Sequence, residues 1–313
     1  MYTESLLREL KTPEAKIEDV FKRVRLAVRR QSNGRQIPWE STSLEQDFYF
    51  RPPKTVRKLS EVEAEKRFDE ELAVWEKAKA AADAAMLEDY LRRYPSGLFS
   101  ELAQLRLDQV LGGAGAGAGG IRSASSEQNP FSKGTLLIDT RVKVGDRYRY
   151  RELDLETHTE TRASYTLSVA KVTATEVYYK IGTITDLLGN WILLPNGRRW
   201  TDAQFFIAEY SLGKRWTSRH RYQNEKGVPY STEYEFKVVA REPITVPAGT
   251  FDAFRVEGNG WTRSETGVAN LFMRYWVTPK VRRYVAIDNI RRGSQTGRVI
   301  TSNRLELIDY CCG

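Results

Sequence analysis

The sequence predicts a multidomain α+β protein, with helices in about the first third of the chain and an antiparallel all-β domain in the rest. Three observations predict this fold class. Apolar residues recur at helical spacing up to Leu111, a Gly/Ala run occupies residues 112–120, and apolar and polar residues alternate from residue 134 onward. A chain of 313 residues is also too long for one ordinary core, so we expect two or three domains.

Residues 1–53 predict two helices followed by a strand. The first helix is expected at residues 2–10, and Thr12 and Pro13 suit the N-cap and the first position of the second helix. The second helix carries an apolar stripe at helical spacing, which consists of Ile17, Val20, Phe21, Val24 and Val28.

The second helix is predicted to end at Asn33 and Gly34, a pair that favours a left-handed C-terminal cap. Residues 47–50 are aromatic and typical of a strand. Pro52 and Pro53 follow directly and break any regular element, so they mark a boundary.

Residues 54–111 are predicted to form a helical arm. Ser60 and Glu63 match a capping box, and residues 94–97 (YPSG) predict a turn. We expect one long helix and a returning helix, a helical hairpin that cannot bury its apolar face alone. The Gly/Ala/Ser composition of residues 112–133 predicts a flexible linker.

Residues 134–313 predict an antiparallel β-domain, because apolar residues recur with a period of two and no helical pattern separates the runs. One face is expected to be wet, as in a curved sheet or an open barrel. Glycine-containing turns separate the predicted strands, at Gly189, Gly197, Gly227 and Gly249.

Charge is distributed unevenly along the chain. The net charge is +8, yet residues 59–111 hold 7 basic and 12 acidic residues, a net charge of −5. We attribute the positive total to solubility rather than to nucleic-acid binding. No run of about 18 apolar residues exists, and residues 1–20 are charged throughout, so the sequence predicts neither a membrane span nor a signal peptide and indicates no compartment.

Four segments of the first fifty residues carry a family resemblance. They are residues 2–7 (YTESLL), 17–25 (IEDVFKRVR), 36–44 (QIPWESTSL) and 47–50 (DFYF). In order and spacing they resemble the C-terminal end of a bacterial caspase-like domain, over about a sixth of the chain. The resemblance implies the last two helices and the last strand of a caspase α/β fold. Residues 87–111 resemble the helical segment that often follows such domains.

The resemblance implies a cysteine endopeptidase but supplies no catalytic residue. In that family a Cys nucleophile and a His base lie before these helices, so their positions map onto nothing in this chain. We therefore expect a non-catalytic C-terminal portion of a longer caspase-like endopeptidase, with Met1 an internal methionine. The alternative is a stand-alone binding protein that keeps the remnant as a docking face and binds a ligand with its β-domain.

The histidines and cysteines predict no catalytic, cofactor or metal site. His158 lies in a polar run typical of a hairpin tip, and His220 lies between two arginines that would lower its pKa. Cys311 and Cys312 are adjacent near the end of the sequence, where two ligands without a histidine do not make a zinc site. We expect free thiols there.

Interleaved arginines and aromatic residues form the candidate binding site. They are Arg198, Arg199, Trp200, Lys214, Arg215, Trp216 and Arg219. Cations beside aromatic rings can hold an anionic ligand, and we expect protein or peptide partners rather than nucleic acid. The alternative is the outer face of a sheet, on which arginine stems cover rings.

A second resemblance concerns the predicted β-domain. Residues 246–256 (VPAGTFDAFRV) and 275–279 (YWVTP) resemble pieces of bacterial β-domains, some of them periplasmic. This resemblance implies a curved sheet with an apolar groove, similar to lipoprotein-carrier folds. The same residues also have a plain structural interpretation, in which Pro and Gly make a hairpin turn between alternating strands.

Overall fold

The computed structural model describes residues 1–32, 36, 38, 47–53, 59–111, 121–122 and 134–311. The chain divides into two compact units, residues 1–114 and residues 115–313. Described helices lie in the first unit and described strands in the second, so the mixed α+β class predicted from the sequence is confirmed. No helix in the described part of the chain is long and apolar enough to cross a membrane.

The first two helices are α1 (Tyr2–Glu9) and α2 (Ile17–Gln31). Their core consists of Ile17, Val20, Val24 and Val28, against which Leu6, Leu10, Ala15 and Phe21 pack. The predicted Thr12 cap is wrong, because the chain turns through a left-handed Glu14 and α2 begins only after Lys16. The predicted end at Asn33 and Gly34 lies outside the described residues.

The strand predicted at residues 47–50 is reduced to an isolated antiparallel bridge between Lys16 and Tyr49. The amide of Ile17 donates to the carbonyl of Phe48 at 2.9 Å. The strand pairing cannot extend beyond Ile17, because α2 begins there and the backbone groups that follow bond one another within the helix. The prediction of a full strand is therefore wrong.

Three further helices follow: α3 (Glu61–Ala81), α4 (Ala84–Arg93) and α5 (Ser100–Val110). The predicted capping box is confirmed, since Ser60 and Glu63 bond each other's backbone amides at the start of α3. The predicted hairpin is wrong, because a left-handed Ala82 ends α3 and Asp83 caps α4 through the amide of Met86.

A buried carboxyl organises α3, α4 and the turn before α5. Glu71 is 3% exposed and accepts hydrogen bonds from the Tyr90 hydroxyl at 2.7 Å and the Leu98 amide at 2.5 Å. Burial raises the pKa of Glu71. Around it Trp75 stacks on Phe99 at 5.8 Å between ring centroids, so this bundle buries its own aromatic core.

Polar contacts join α2 to the later helices. Lys22 donates to the Ser96 hydroxyl at 2.9 Å, which in turn donates to Asp19 at 2.6 Å. Arg29, which is buried, forms an ion pair with Asp108 on α5. The apolar stripe of α2 is covered by residues of this unit.

The second unit contains fourteen strands in its described residues. A small sheet joins β1 (Ile121–Arg122), β2 (Thr135–Leu137) and, further along the chain, β8 (Glu209–Ser211). The remaining strands are β3 (Arg147–Asp154), β4 (Glu160–Val172), β5 (Glu176–Tyr179), β6 (Ile184–Asp186), β7 (Trp191–Leu193), β9 (Arg215–Gln223), β10 (Pro229–Val246), β11 (Gly249–Ser264), β12 (Gly267–Thr278), β13 (Val281–Gly293) and β14 (Val299–Cys311).

These eleven strands form one antiparallel sheet in the order β7-β6-β5-β4-β3-β14-β13-β12-β11-β10-β9. Hairpins link most sequential strands, and β14 returns beside β3, so that strands β3–β7 and strands β9–β14 form one sheet. The antiparallel prediction is confirmed, and the four predicted turn glycines all have positive φ. Strand β1 lies inside the stretch predicted as linker, whose other residues from 112 to 133 are outside the described ones.

The two faces of the sheet differ in composition. We call inner the face that carries Phe236 and Tyr275 and packs against residues 203–210. Side chains alternate between faces along each strand, so Glu233 and Trp261 lie on the other, outer face, where they are paired in register.

Candidate binding site: an arginine–tyrosine cluster

The seven residues predicted as a binding site do not lie together. On β9 the side chains alternate, so Arg215 and Arg219 point to the outer face and Trp216 to the inner face. Arg199 is exposed and bridges Leu193 through its backbone. The sequence run is therefore divided between two surfaces of the sheet.

Three of these residues serve the fold. Arg219 is 3% exposed, forms an ion pair with Glu233 at 3.4 Å and lies over the ring of Trp261. Lys214 donates to the carbonyl of Glu209 at 2.8 Å. The Trp216 indole donates to the carbonyl of Gln204 at 2.8 Å and so fastens the segment that covers the inner face.

Arg198 and Trp200 instead join three residues from other strands. We define the arginine–tyrosine cluster as Arg198, Trp200, Tyr222, Tyr230 and Arg291. Tyr222 and Tyr230 are cross-strand neighbours whose rings stack at 4.8 Å with an interplanar angle of 2°. The Trp200 ring lies 5.7 Å from that of Tyr222.

The two arginines lie over the faces of the tyrosine pair. The guanidinium carbon of Arg198 is 5.3 Å from the Tyr222 ring centroid, and that of Arg291 is 5.9 Å from the Tyr230 centroid. Burial raises the pKa of Tyr222, although both arginine charges act to lower it. The Tyr222 ring therefore stays uncharged at neutral pH, and both rings offer electron-rich faces to the cations.

Neither Arg198 nor Arg291 has an ion-pair partner among the residues that the structure describes, and the Nε of each has no hydrogen-bond partner. Both side chains are half-buried. Other arginines of the sheet are neutralised, as where Arg274 and Arg304 bond the two oxygens of Asp288 at 2.8 and 3.1 Å. The cluster thus holds two partly desolvated positive charges that an anionic group could satisfy.

Sequence reasoning missed Tyr230 and Arg291 as site residues. A signal for Tyr230 was present, because the Lys226-Gly227 turn sets Tyr222 opposite Tyr230 in a hairpin. Arg291 lies on β13, and strands β11 and β12 separate it from Tyr230 on β10. No local pattern in the sequence encodes a contact across two intervening strands.

The histidines and the described cysteine do not form a catalytic arrangement. His158 lies at the β3–β4 turn with φ of 58°, which matches the predicted hairpin tip. Cys311 is exposed and pairs with Arg147 at the opposite end of β3, roughly 20 Å along the strand from that tip. The described residues contain no group of three or more His, Cys, Asp or Glu suited to a metal ion.

His220 is 2% exposed and lies against Phe205, with ring centroids 4.8 Å apart. Its pKa is lowered to about 3, in the direction expected from the sequence. The cause is burial, not the neighbouring arginines, because Arg219 and Arg221 lie on the opposite face of β9.

Comparisons with known proteins give a family match over a short part of the chain and distant likenesses to solved structures. The family model for the caspase domain (Peptidase C14) matches residues 1–49, about a sixth of the chain. No curated protein matches the chain. This extent does not establish membership of the family for the whole chain.

Three solved structures that resemble the chain are between 8% and 15% identical to it. A protein described as a lipoprotein from Parabacteroides distasonis ATCC 8503 is 15% identical, with a TM-score of 0.37, covering 56% of this chain and 99% of its own. An exported protein with a YmcC-like fold from Bacteroides fragilis NCTC 9343 is 11% identical, with a TM-score of 0.35 and the same coverage. The hypothetical lipoprotein YmcC from Escherichia coli K12 is 8% identical, with a TM-score of 0.33, covering 52% and 83%. At these TM-scores the likenesses support no conclusion about fold or function.

Proposed function

We propose that this chain is a non-catalytic C-terminal portion of a caspase-like cysteine endopeptidase, and that its β unit binds acidic peptide segments through the arginine–tyrosine cluster. The match of residues 1–49 to the caspase domain supports the relation to that family. The observation that carries the binding role is the pair of uncompensated arginines, Arg198 and Arg291, over stacked tyrosines.

The chemistry of the cluster favours carboxylates. A guanidinium presents paired N–H donors that match the two oxygens of a carboxylate, and the rings hold its plane in position. Tyr, Trp and Arg are also the side chains that contribute most to protein–protein contacts. An extended acidic segment therefore fits better than an isolated phosphate, which would need more converging donors than these two side chains supply.

A stand-alone binding protein is the second candidate, and the packing of the helical unit favours it. Helix α2 buries its apolar residues Ile17, Val20, Val24 and Val28 within residues 1–114, although Tyr2 and Leu7 on α1 stay exposed. Both candidates use the same binding site. They differ in whether the protein in its own cells carries a catalytic part. Comparing the intact mass of the native protein with the 35.9 kDa of this chain distinguishes them.

Fluorescence anisotropy with a labelled peptide of alternating Glu and Gly tests the binding role. We expect the Arg198→Gln/Arg291→Gln double variant to bind at least tenfold more weakly than the unchanged chain, and a Gln/Gly peptide not to bind. The matched control is Arg215→Gln/Arg292→Gln, which removes the same charge from exposed positions outside the cluster. Equal losses in both double variants would show binding by net charge alone, and preference for a single-stranded oligonucleotide would contradict the peptide assignment.

A peptidase assay tests the non-catalytic assignment separately. The chain has two cysteines, at positions 311 and 312, so the Cys311→Ala/Cys312→Ala variant removes every thiol. We expect no peptide hydrolysis above the level of that variant. Turnover that depends on these thiols would contradict the assignment without touching the binding proposal.

A further inference from the structure

A second site lies in the same unit, in a cleft where the 186–190 turn and the 203–210 segment meet β12 and β13. Its empty volume is about 280 Å³, part of it open to solvent, and its enclosed part holds about one water molecule. Most of its lining is apolar, with Ile138, Leu188, Phe206 and Val277 around it. Two adjacent arginines, Arg282 and Arg283, complete the wall.

The two arginines differ in how their charge is balanced. Arg282 bonds Asp146 at 2.7 Å and lies 3.5 Å from Asp139, so its charge is compensated twice. Arg283 is 6% exposed and has no carboxylate partner within the described chain. Its Nη1 donates to the Tyr179 hydroxyl at 2.8 Å, while its Nε is buried with no hydrogen-bond partner among the residues that the structure describes.

The surroundings of Arg283 hold the cation without neutralising it. Its guanidinium lies over the rings of Tyr179 and Tyr284, at 5.3 and 5.5 Å from their centroids. Gly189, with φ of +94°, faces Nη1, because an added Cβ would stand 3.8 Å from it. Because residue 189 has no side chain, the 186–190 turn leaves space beside the Arg283 guanidinium that a larger residue would fill. A buried charge without a counter-ion is costly, and a bound anion would remove that cost.

We propose that this cleft binds a small monocarboxylate, with the carboxylate on Arg283 and an apolar body against Leu188, Phe206 and Val277. One uncompensated cation balances one negative charge. A phosphate or a dicarboxylate would bring a second charge into an apolar wall that offers it no partner. The inference goes beyond the peptide role, because it uses other residues and a ligand of a different size.

Thermal unfolding of the full chain with sodium butyrate, butyramide and sodium chloride at matched ionic strength tests the inference. We expect butyrate to raise the melting temperature with increasing concentration, and neither the uncharged amide nor chloride to do so. Calorimetric titration then gives the dissociation constant. Butyrate should bind at least tenfold more weakly to Arg283→Met and to Ile138→Phe, which keeps the arginine but fills the cleft.

The control is Arg291→Gln, which should leave butyrate binding within twofold while weakening the acidic peptide. That contrast separates failure of this inference from failure of the peptide role. An equal response of the unchanged chain and Arg283→Met to butyrate would overturn the inference. Absence of any butyrate response would also overturn it and would assign the cleft to a water molecule alone.

A stability comparison of adjacent residues gives an independent readout. Arg283→Met removes an uncompensated buried charge, so without ligand we expect a melting temperature equal to or above that of the unchanged chain. Arg282→Met should lower it, because Asp146 is 1% exposed and would lose its cation. A large loss of stability in Arg283→Met would show that the arginine is structural and would count against a ligand site.

Discussion

At the scale of single residues, His220 shows how the fold fixes a protonation state. Its ring is buried against Phe205, and its Nδ1 has no hydrogen-bond partner in the described part of the chain. Burial lowers its pKa from 6.5 to about 3. Between these two values the unfolded chain binds a proton that the folded chain does not. This contribution to stability is therefore present above pH 6.5 and is lost as the pH falls toward 3.

We expect this histidine to cost about 2 kcal/mol of unfolding free energy at pH 5 relative to pH 8. Urea denaturation at a series of pH values measures it, with His220→Leu as the control that cannot be protonated. Asp186 acts in the opposite direction, because burial raises its pKa to about 7 and its contribution is lost as the pH rises through that value. Asp186 is present in both proteins, so it cancels in their difference. Identical pH slopes for the two proteins would contradict the assignment.

At the scale of elements, the turn between α4 and α5 depends on Gly97. A Cβ at this position would lie 2.3 Å from Oε1 of Glu71 and 2.7 Å from Cβ of Tyr94. The carboxyl cannot move away without giving up its bonds to Tyr90 and Leu98. We expect Gly97→Ala to destabilise the helical unit by roughly 1 to 3 kcal/mol.

Circular dichroism at 222 nm during denaturation measures this loss, because the described helices lie in residues 1–114. The control is a double-mutant cycle with Glu71→Ala, which removes one of the two obstructing groups. The cost of Gly97→Ala should be smaller in the Glu71→Ala background. An equal cost in both backgrounds would show that the carboxyl does not explain the need for glycine.

The elements also show what sequence patterns encode. The capping box at Ser60 and the turn glycines follow from local stereochemistry, and both were predicted correctly. The break at Ala82 was missed, because an Ala-rich run has high helix propensity and the stop is set by tertiary packing. Period-two alternation predicted strands and faces, but the contact between Arg291 and Tyr230 spans two intervening strands and is non-local. Arg291 was therefore invisible to sequence reasoning, whereas the turn at Gly227 could have indicated Tyr230.

At the scale of the whole molecule, each unit has a core built from its own residues. The helical unit buries Val20, Trp75 and Phe99, and the β unit buries Phe236 and Tyr275. The two units also differ in charge, because the acidic residues 59–111 belong to the helical unit. A site such as the arginine–tyrosine cluster is assembled entirely within the β unit, so that unit alone should retain acidic-peptide binding.

Two separately expressed chains, residues 1–114 and residues 115–313, test this organisation. We expect each to unfold cooperatively, and the dissociation constant of chain 115–313 for the Glu/Gly peptide to lie within threefold of that of the full chain.

A chain begun at residue 134 is the control for the boundary. It lacks Ile121–Arg122, which pair with Leu136 and Thr135, and losing about 1 kcal/mol should lower its melting temperature by roughly 2 to 4 °C. Failure of chain 115–313 to fold, measured by calorimetry, would contradict an independent β unit. Equal melting temperatures of chain 115–313 and the chain begun at residue 134 would show that β1 contributes no stability. The β unit would then begin after the predicted linker, at residue 134.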